Sequence, residues 1–235
     1  MNIDRQKRKL GDIIDSINKK ERCTKKRKIS FEILYSESDS DSGSDSDEEK
    51  DIFMKDNHIY FRCSINDKNI NELERLIQKS NKNFINLSSK CQVAKLIPTP
   101  IYLHIMSRGG LLLAGFRASD FIKNSKIPIY TVVEGYAMSA ATILSMSGKK
   151  RFMTKNSVIL IHQLSSGAFG TYENLKDDQK NNDLLMSKLK TFYVKHSTGK
   201  MDRKELKKLL KRDLYLDSDK CLEYGIIDEV YKGDV

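Results

Sequence analysis

The sequence predicts an α/β fold built on a largely parallel sheet, and two observations carry this prediction. Short runs rich in β-branched and aromatic residues alternate along the chain with segments whose apolar residues recur at helical spacing. Several strand runs, such as IPIYTVV, are almost continuously apolar, which is typical of strands buried on both faces of a parallel sheet. The chain shows no internal repeat.

The predicted elements begin near Ile52 and alternate to the end of the chain. Strands are predicted over residues 58–65, 100–107, 127–135 and 226–231, and one further strand, VILIHQ, is predicted within residues 151–163. Helices are predicted over residues 69–79, 111–125, 172–196, 202–211 and 217–224, with a further helix from Ser139 to about Gly148. The first helix rests on the spacing of Ile70, Leu73, Leu76 and Ile77. Residues 80–98 are polar and irregular, which predicts a loop.

The helix predicted over residues 172–196 is the longest in the chain. Its first half is charged (ENLKDDQKNND), whereas its apolar positions come late, at Leu184, Leu185, Leu189, Phe192 and Tyr193. A helix of this kind packs on the body of the protein through its second half.

Two charge blocks precede the first predicted strand. Residues 1–30 hold 11 Lys and Arg against 4 Asp and Glu, and residues 36–51 hold 8 acidic residues, 6 serines and one lysine. Apolar content this low does not offset the entropy that folding costs. We therefore expect residues 1–50 to form a disordered tail, basic and then Ser/Asp-rich, ahead of one domain at residues 51–235. Two interpretations of the serines stay open: they accept phosphate, or the tract is only a solvated tail.

The formal net charge of +10 is spread widely, and no nucleic-acid motif accompanies it. Nucleic-acid binding is therefore restricted to the tail as a hypothesis. None of the four cysteines forms a C-x-x-C pair, and the histidines are far from them in sequence. This argues against a zinc finger and a disulfide scaffold, and it fits a reducing compartment. We expect no metal and no cofactor in this chain.

The sequence also bears on location. No apolar run reaches transmembrane length, and the first residues lack the hydrophobic core of a secretory signal. The expectation is no membrane contact and a cytoplasmic location by default. The run KKRK at residues 25–28 has the composition of a nuclear-import signal, although short basic runs are common by chance.

Three places at the carboxyl ends of predicted strands carry residues suited to catalysis, because sites of α/β sheets form there. Ser139 lies in GYAMSAAT, between a strand and a helix, among small residues that let a substrate approach. The helix behind it offers free N–H groups and a partial positive charge. Gly109 and Gly110 follow another strand and can present backbone N–H groups. His162 ends a third strand.

Each of these features has an ordinary structural explanation. A serine at a helix start is most often an N-cap, a glycine pair after a strand is usually a turn, and a lone histidine is usually structural. Only the ordered combination points to chemistry.

That combination resembles the proteolytic subunit of the Clp protease, a family of ATP-dependent serine peptidases. The resemblance runs from about residue 52 to about residue 231. The blocks that carry it, in order, are HIYFRCSIND, YLHIMSRGG, EGYAMSAATILSMSGKKRF, NSVILIHQ and KRDLYLDSDKCLEYGIID. The last three, in this order and at these separations, are the specific ones. The resemblance implies a ClpP/crotonase-like α/β fold of repeated β-β-α units with a long handle helix.

The resemblance also implies a catalytic set. Ser139 matches the family's nucleophile, His162 its general base, and Asp213 the acid that orients the histidine. The expected chemistry is that of a Ser-His-Asp triad, in which an acyl-enzyme forms and is hydrolysed. The backbone N–H groups of Gly109 and Ala140 match the oxyanion hole. Asp177, Asp178, Asp217 and Asp219 are alternatives for the acid, but only Asp213 has the matching flank.

Further expectations concern the substrate and the assembly. Gly110, Gly167 and Gly170 are candidate substrate-binding residues, since the segment SSGAFGT suits an extended backbone that pairs with a bound peptide; an ordinary loop is the alternative. The family implies a homo-oligomer of two stacked heptameric rings, joined through helix 172–196. It also implies polypeptide substrates and an AAA+ ATPase partner that uses ATP.

The chain departs from the family pattern in several places. Arg108 stands where the family usually has proline, and Ala140 where it often has methionine. Residues 80–98 look like an insertion, and the family's pore-lining N-terminal segment has no match. These departures bear on the partner ATPase more than on catalysis.

Three other functions are open to this sequence. The first is a catalytically weak or regulatory ring subunit, which the filled triad positions disfavour. The second is a crotonase-type acyl-CoA enzyme, which needs no Ser-His-Asp set. The third is a Ser-Lys signal-peptide peptidase, which the matching blocks and the lack of an anchor disfavour.

Overall fold

The computed structural model describes residues 51–90 and 97–233. The described residues belong to one compact unit by their contacts within the chain. Residues 1–50 lie outside the described part. The predictions of a disordered tail, a phosphate-accepting serine tract and a nuclear-import signal therefore all concern residues outside the description. The domain boundary at residue 50 stays a prediction.

Eight strands form one mixed sheet. They are β1 (Ile52–Lys55), β2 (His58–Phe61), β3 (Ile101–Ser107), β4 (Ile129–Met138), β5 (Lys150–Met153), β6 (Val158–Leu160), β7 (Tyr215–Leu216) and β8 (Glu229–Val230). The order is β1-β2-β3-β4-β5-β8, and β6 pairs with the second half of β4 and with β7. The pairs β1–β2 and β6–β7 are antiparallel, and the remaining pairs are parallel. The α/β class with a largely parallel sheet is confirmed.

Six helices complete the described part of the chain. They are α1 (Asp67–Lys90), α2 (Leu112–Asn124), α3 (Ala141–Ser145), α4 (Tyr172–His196), α5 (Arg203–Leu209) and α6 (Ser218–Glu223). The side chains of Thr171, Asp202 and Asp217 cap the first turns of α4, α5 and α6. Within the described residues, no helix is both long enough and apolar enough to cross a membrane.

The predicted loop at residues 80–98 is wrong over most of its length. Helix α1 continues through it to Lys90, because Ser80 is buried and Phe84 packs against the core. Tertiary packing here overrides a polar sequence with weak periodicity. Residues 91–96 lie outside the description, and residues 97–100 have no regular structure.

Residues 150–163, where one strand was predicted, hold two strands, β5 and β6. The turn TKNS separates them, and in it Ser157 N–H donates to the Thr154 carbonyl at 3.1 Å. Polar and asparagine residues between apolar runs mark such turns. The two strands pair with successive parts of β4, so β4 spans ten residues and reaches Met138. Strands β1 and β7 were not predicted, and β7 has only two residues.

The core lies between the sheet and the helices that cover one of its faces. Strand β3 shows the alternation, since Ile101, Leu103 and Ile105 are fully buried whereas Tyr102 and Met106 are half-buried. The odd-numbered side chains therefore face the helices. The even-numbered face carries stacked rings, including Tyr60 against His104 at 4.7 Å between ring centroids.

Candidate active site

Ser139 lies in a strained turn between β4 and α3. Its φ is +54°, in the left-handed region, which costs a non-glycine residue about 1–2 kcal/mol. Its N–H donates to the Leu160 carbonyl at 2.9 Å, and its own carbonyl accepts from the Thr142 N–H at 3.0 Å. Among the described residues, its hydroxyl has no hydrogen-bond partner. A strained strand-to-helix turn of this kind projects a side chain outward and is found at functional sites.

Ala140 follows the serine and supplies a free backbone donor. Its N–H has no acceptor within residues 51–90 and 97–233, although the residue is only 3% exposed. Helix α3 begins at Ala141 and ends at Ser145, earlier than the predicted end near Gly148. A five-residue helix has a small dipole. The Ala140 N–H itself, rather than the helix dipole, is therefore the main group that can stabilise a developing negative charge at this turn.

Gly109 is pressed against the serine turn. A Cβ at this position would lie 2.5 Å from the Met138 carbonyl oxygen and 2.8 Å from the Ser139 Cβ, and its φ is +92°. Only glycine fits there. Its N–H donates to the Ser107 hydroxyl at 3.1 Å, so this predicted oxyanion donor is already engaged. Gly110 is held as closely, since its Cβ would lie 2.2 Å from the Ile65 carbonyl oxygen.

His162 lies two residues beyond the end of β6 rather than within the strand. Its Nδ1 is 2.6 Å from the Gln163 carbonyl oxygen. Because a carbonyl only accepts, Nδ1 carries the hydrogen, and in the neutral ring Nε2 carries the lone pair. This is the tautomer that a general base of the expected kind uses.

Ser139 and His162 line the same cleft, which has a volume of about 440 Å³. Gly110, Leu111, Leu164, Leu189 and Tyr193 are among its other lining residues. The cleft wall is therefore mostly apolar, with the serine and the histidine as its reactive groups. Gly167 and Gly170 do not line it, although residues 163–166 just before them do. Their role in substrate binding stays a prediction.

Asp213 lies outside this cleft, in the exposed turn between α5 and β7. It has no hydrogen-bond or ion-pair partner in the described part of the chain. However, β6 and β7 pair antiparallel, with Ile159 opposite Leu216 and Leu160 opposite Tyr215. The same register continued by two residues sets His162 opposite Asp213. The observed pairing itself ends at Leu160 and Tyr215, and the two side chains are not hydrogen-bonded.

Three of the four alternative acids are engaged elsewhere. Asp177 pairs with Lys180 at 3.0 Å, and Asp219 pairs with Lys155 at 2.9 Å. Asp217 caps α6 by accepting from the Lys220 N–H at 2.8 Å. Asp178 is half-buried on α4 and has no hydrogen-bond or ion-pair partner among the described residues. The structure therefore gives none of the alternatives a link to His162.

Two side chains at this site were not among those predicted from the sequence. The Thr142 hydroxyl contacts the Ser139 carbonyl, and the Tyr193 hydroxyl contacts Thr142. Tyr193 was assigned only to the apolar face of its helix. A tyrosine within an apolar stripe needs a hydrogen-bond partner for its hydroxyl, and this is the signal that would have drawn attention to it.

No group of three or more His, Cys, Asp or Glu side chains in the described ranges is arranged to hold a metal ion. The two cysteines that the structure describes are unsuited to a nucleophilic role. Burial and a nearby carboxylate raise the pKa of both Cys63 and Cys221 to about 12.

Comparison with known proteins gives consistent results. The sequence model described as Clp protease matches residues 91–234, which is more than half of the chain. The chain is 36% identical over 136 residues to the ATP-dependent Clp protease proteolytic subunit 2 of Treponema denticola. It is 32% identical over 136 residues to the protein of the same name from Treponema pallidum. Each match covers 57% of this chain and 67% of the relative. The Clp protease model, which matches residues 91–234, covers Asp213 and the blocks around Ser139 and His162, and the chain therefore belongs to the Clp protease family, a family of proteolytic hydrolases.

Proposed function

We propose that this chain is a serine endopeptidase that hydrolyses peptide bonds of unfolded proteins or peptides through Ser139, His162 and Asp213. The observation that carries the proposal is that Ser139, in a strained turn, and His162, with Nε2 as its acceptor nitrogen, line one cleft. The apolar wall of that cleft suits the side chains that unfolding exposes.

The chemistry follows from these groups. Nε2 of His162 accepts the Ser139 hydroxyl proton while Oγ attacks the peptide carbonyl carbon. The carbonyl electrons move to the oxygen, which becomes an oxyanion. As the C–N bond breaks, the protonated His162 gives its proton to the leaving amine, and an ester to Ser139 remains. Water, deprotonated by His162, then hydrolyses that ester and restores both side chains.

The oxyanion is received by backbone N–H groups. The Ala140 N–H is free and follows the nucleophile directly, so it is the first donor. The Gly109 N–H becomes a second donor only when it exchanges the Ser107 hydroxyl for the substrate oxygen. Each such donor contributes roughly 3 kcal/mol to transition-state stabilisation.

Asp213 orients and stabilises the imidazole in this proposal. The pairing of β6 with β7 supports it, because the observed register, if it continued by two residues, would set Asp213 opposite His162. The His162 Nδ1–H must then leave the Gln163 carbonyl for the Asp213 carboxylate. That exchange costs little, because one hydrogen bond replaces another and the new one is charge-assisted.

A second candidate function is a catalytically weak or regulatory Clp-like subunit. It is favoured by one observation, that His162 is hydrogen-bonded to Gln163 while Asp213 is exposed and unpaired within the described residues. A chain that keeps this arrangement would have a nucleophile with a poorly oriented base.

Labelling with a fluorophosphonate separates the two candidates, because this reagent reacts with activated serines. The peptidase proposal predicts one adduct per chain, mapped to Ser139 by mass spectrometry and lost in Ser139→Ala and His162→Ala. Fluorogenic peptides are cleaved by the wild type and not by these variants. An unlabelled wild type that cleaves no peptide would favour the regulatory function instead.

We further propose that the chain works in a homo-oligomer of two stacked heptameric rings, with an AAA+ partner that supplies the ATP-driven step. The two Treponema relatives are named as proteolytic subunits of ATP-dependent Clp proteases, and this supports the proposal. No cofactor is expected in this chain itself. Native mass spectrometry tests the assembly, since it should find fourteen chains of 27.0 kDa each.

A further inference from the structure

Two buried hydroxyl groups connect the long helix α4 to the turn that carries Ser139. The Thr142 Oγ1 lies 2.6 Å from the Ser139 carbonyl oxygen and 2.6 Å from the Tyr193 hydroxyl oxygen. Thr142 is fully buried, and Tyr193 is 1% exposed. A water molecule from bulk solvent therefore has no access to replace either hydroxyl.

The direction of both hydrogen bonds follows from the number of hydrogens. A threonine hydroxyl has one hydrogen, and the Ser139 carbonyl can only accept, so Thr142 donates to Ser139. Tyr193 must then donate to Thr142. Burial raises the pKa of Tyr193 to about 12, against the opposing effect of the Thr142 hydrogen bond. The phenol therefore keeps its proton at neutral pH and remains a donor.

The two hydrogen bonds end at the backbone carbonyl of Ser139, the residue with the strained conformation. The Ser139 carbonyl accepts from both the Thr142 N–H, at 3.0 Å, and the Thr142 hydroxyl. Its N–H is fixed to Leu160. A left-handed conformation persists in a serine only where its surroundings hold it, and these contacts are what holds it. Without the Thr142 hydroxyl, the carbonyl keeps only one of its two donors, and the strained turn is held less firmly.

Tyr193 also belongs to the small buried part of α4. Of the 25 residues of this helix, Leu189, Phe192 and Tyr193 are the buried ones. Leu189 and Tyr193 line the cleft that Ser139 and His162 share. Two hydrogen bonds therefore couple the position of α4 beside the cleft to the position of the Ser139 backbone.

We propose that Thr142 and Tyr193 are positioning residues for the reaction, and that their hydroxyl chain holds the Ser139 backbone where Oγ and the Ala140 N–H face the same substrate carbonyl. This inference rests on the function proposed above. Neither side chain takes part in bond making. Both act through the Ser139 carbonyl, and a small displacement there separates the nucleophile from the oxyanion donor.

Three variants and two matched controls test the proposal. Thr142→Val and Tyr193→Phe each remove one hydroxyl and keep the shape, whereas Thr142→Ser restores the hydroxyl. Thr131→Val is the control for threonine, because Thr131 is also fully buried and its hydroxyl donates to the Ser145 carbonyl, away from the cleft lining. Tyr224→Phe removes a tyrosine hydroxyl that contacts Glu205.

The measurements are the rate constant of Ser139 labelling by a fluorophosphonate, kcat and KM for a fluorogenic peptide, and the melting temperature. We expect Thr142→Val and Tyr193→Phe to label about tenfold more slowly, which corresponds to ~1.4 kcal/mol, with kcat lowered alike and KM unchanged. Thr142→Ser should label within about twofold of the wild type, and so should both controls.

Each other outcome overturns a defined statement. If Thr142→Val and Tyr193→Phe are labelled as fast as the wild type, the positioning role is overturned and the peptidase proposal stands. If Thr131→Val is labelled as slowly as Thr142→Val, the positioning role is also overturned, because a general loss of stability would then explain the effect. A wild type that is not labelled at all overturns the peptidase proposal, and the positioning role with it.

Discussion

Arg151 and Asp228 form a paired contact that ties β5 to the residue before the last strand. The Arg151 Nε lies 3.0 Å from Asp228 Oδ2, and a terminal guanidinium nitrogen contacts Oδ1. The other terminal nitrogen donates to the carbonyls of His196 and Gly225. Arg151 is 5% exposed, so this one side chain joins β5, the end of α4 and the turn after α6. The same ties fix the end of the helix that carries Tyr193.

Replacing Asp228 with asparagine should destabilise the fold. Burial raises the pKa of the Asp228 carboxyl, but the hydrogen bonds and the charge of Arg151 outweigh burial and hold that pKa below its ordinary value of 3.8. The lowered pKa means that the carboxylate contributes stability above pH 3.8, and that this contribution is lost as the pH falls through the folded pKa. We expect Asp228→Asn to lower the free energy of unfolding by about 2 kcal/mol at pH 7, measured by urea denaturation.

The control for this prediction is Asp219→Asn. Asp219 pairs with Lys155 at 2.9 Å, but both side chains are mostly exposed, and such pairs contribute about 0–1 kcal/mol. Equal losses in the two variants at pH 7 would contradict the special role of the Arg151 contact. The same role would be contradicted if the loss of unfolding free energy in Asp228→Asn stayed unchanged at pH values below the folded pKa of Asp228.

A second carboxylate, Glu134, ends a chain of hydrogen-bonded rings on the other face of the sheet. Its Oε1 lies 2.7 Å from His104 Nδ1, and the His104 Nε2 lies 2.8 Å from His58 Nδ1. Since the carboxylate accepts, His104 donates from Nδ1, and in its neutral form it accepts at Nε2 from His58. The His104 hydrogen bond and the nearby positive charges lower the pKa of Glu134, whereas burial raises it. Their net effect holds this pKa below its ordinary value of 4.5.

We therefore expect Glu134→Gln to lower the melting temperature at pH 7, because a charge-assisted hydrogen bond becomes a neutral one. A lowered carboxyl pKa contributes stability above pH 4.5, and that contribution disappears as the pH falls through the folded value. The melting temperatures of wild type and variant should converge as the pH falls below 4.5. A constant difference over that range would show that Glu134 acts by shape rather than by charge.

Much of this structure could be predicted from the sequence, for identifiable reasons. The bounds predicted for the long helix, residues 172–196, are those of α4, because its polar first half and its apolar second half both have helical spacing. Strand β3 and helix α2 were predicted within a residue or so, since β-branched and apolar runs there end at glycines or polar residues. The strand-to-helix turn at Ser139 was predicted from the small residues around it.

Other features depend on contacts distant in sequence. The second half of α1 is helical because Phe84 reaches the core, which local spacing did not indicate. The two-residue strand β7 exists through its pairing with β6, in which Leu160 lies opposite Tyr215. The φ of +54° at Ser139 and the engagement of the Gly109 N–H with Ser107 are likewise tertiary results. The triad assignment came from the family resemblance, and it remains a proposal about the assembled enzyme.

Asp213→Asn tests the acid in the proposed triad. The amide keeps the size of the side chain but removes the charge that would stabilise the imidazolium and fix its tautomer. We expect kcat for a fluorogenic peptide to fall by ~10³-fold or more, with KM nearly unchanged. The melting temperature should stay within about 1 °C, because Asp213 is exposed and has no partner in the described residues, so nothing in the fold depends on it.

Asp178→Asn is the control for that experiment, since Asp178, a half-buried carboxylate on α4, also has no hydrogen-bond or ion-pair partner among the described residues. It should leave kcat unchanged. If Asp213→Asn also retains wild-type kcat, then His162 works from its Gln163 hydrogen bond without a carboxylate, and the triad is a dyad.

Gly109→Ala should disrupt the site through the backbone. The added Cβ would lie 2.5 Å from the Met138 carbonyl oxygen and 2.8 Å from the Ser139 Cβ, on a residue whose φ of +92° disfavours any side chain. The turn must shift by a large fraction of an ångström, and the shift acts directly on the nucleophile. We expect peptide cleavage to fall by ~10²-fold or more, since displacements of about 1 Å have that effect. The melting temperature should fall as well.

Gly167→Ala provides the comparison for stability. A Cβ at Gly167 would have no atom within 4 Å, so its melting temperature should match that of the wild type. A Gly109→Ala variant that melts and cleaves like the wild type would mean that the β3–α2 connection yields freely, and that its closeness to Ser139 does not position the nucleophile. Calorimetry and peptide cleavage on the same preparations decide between these results.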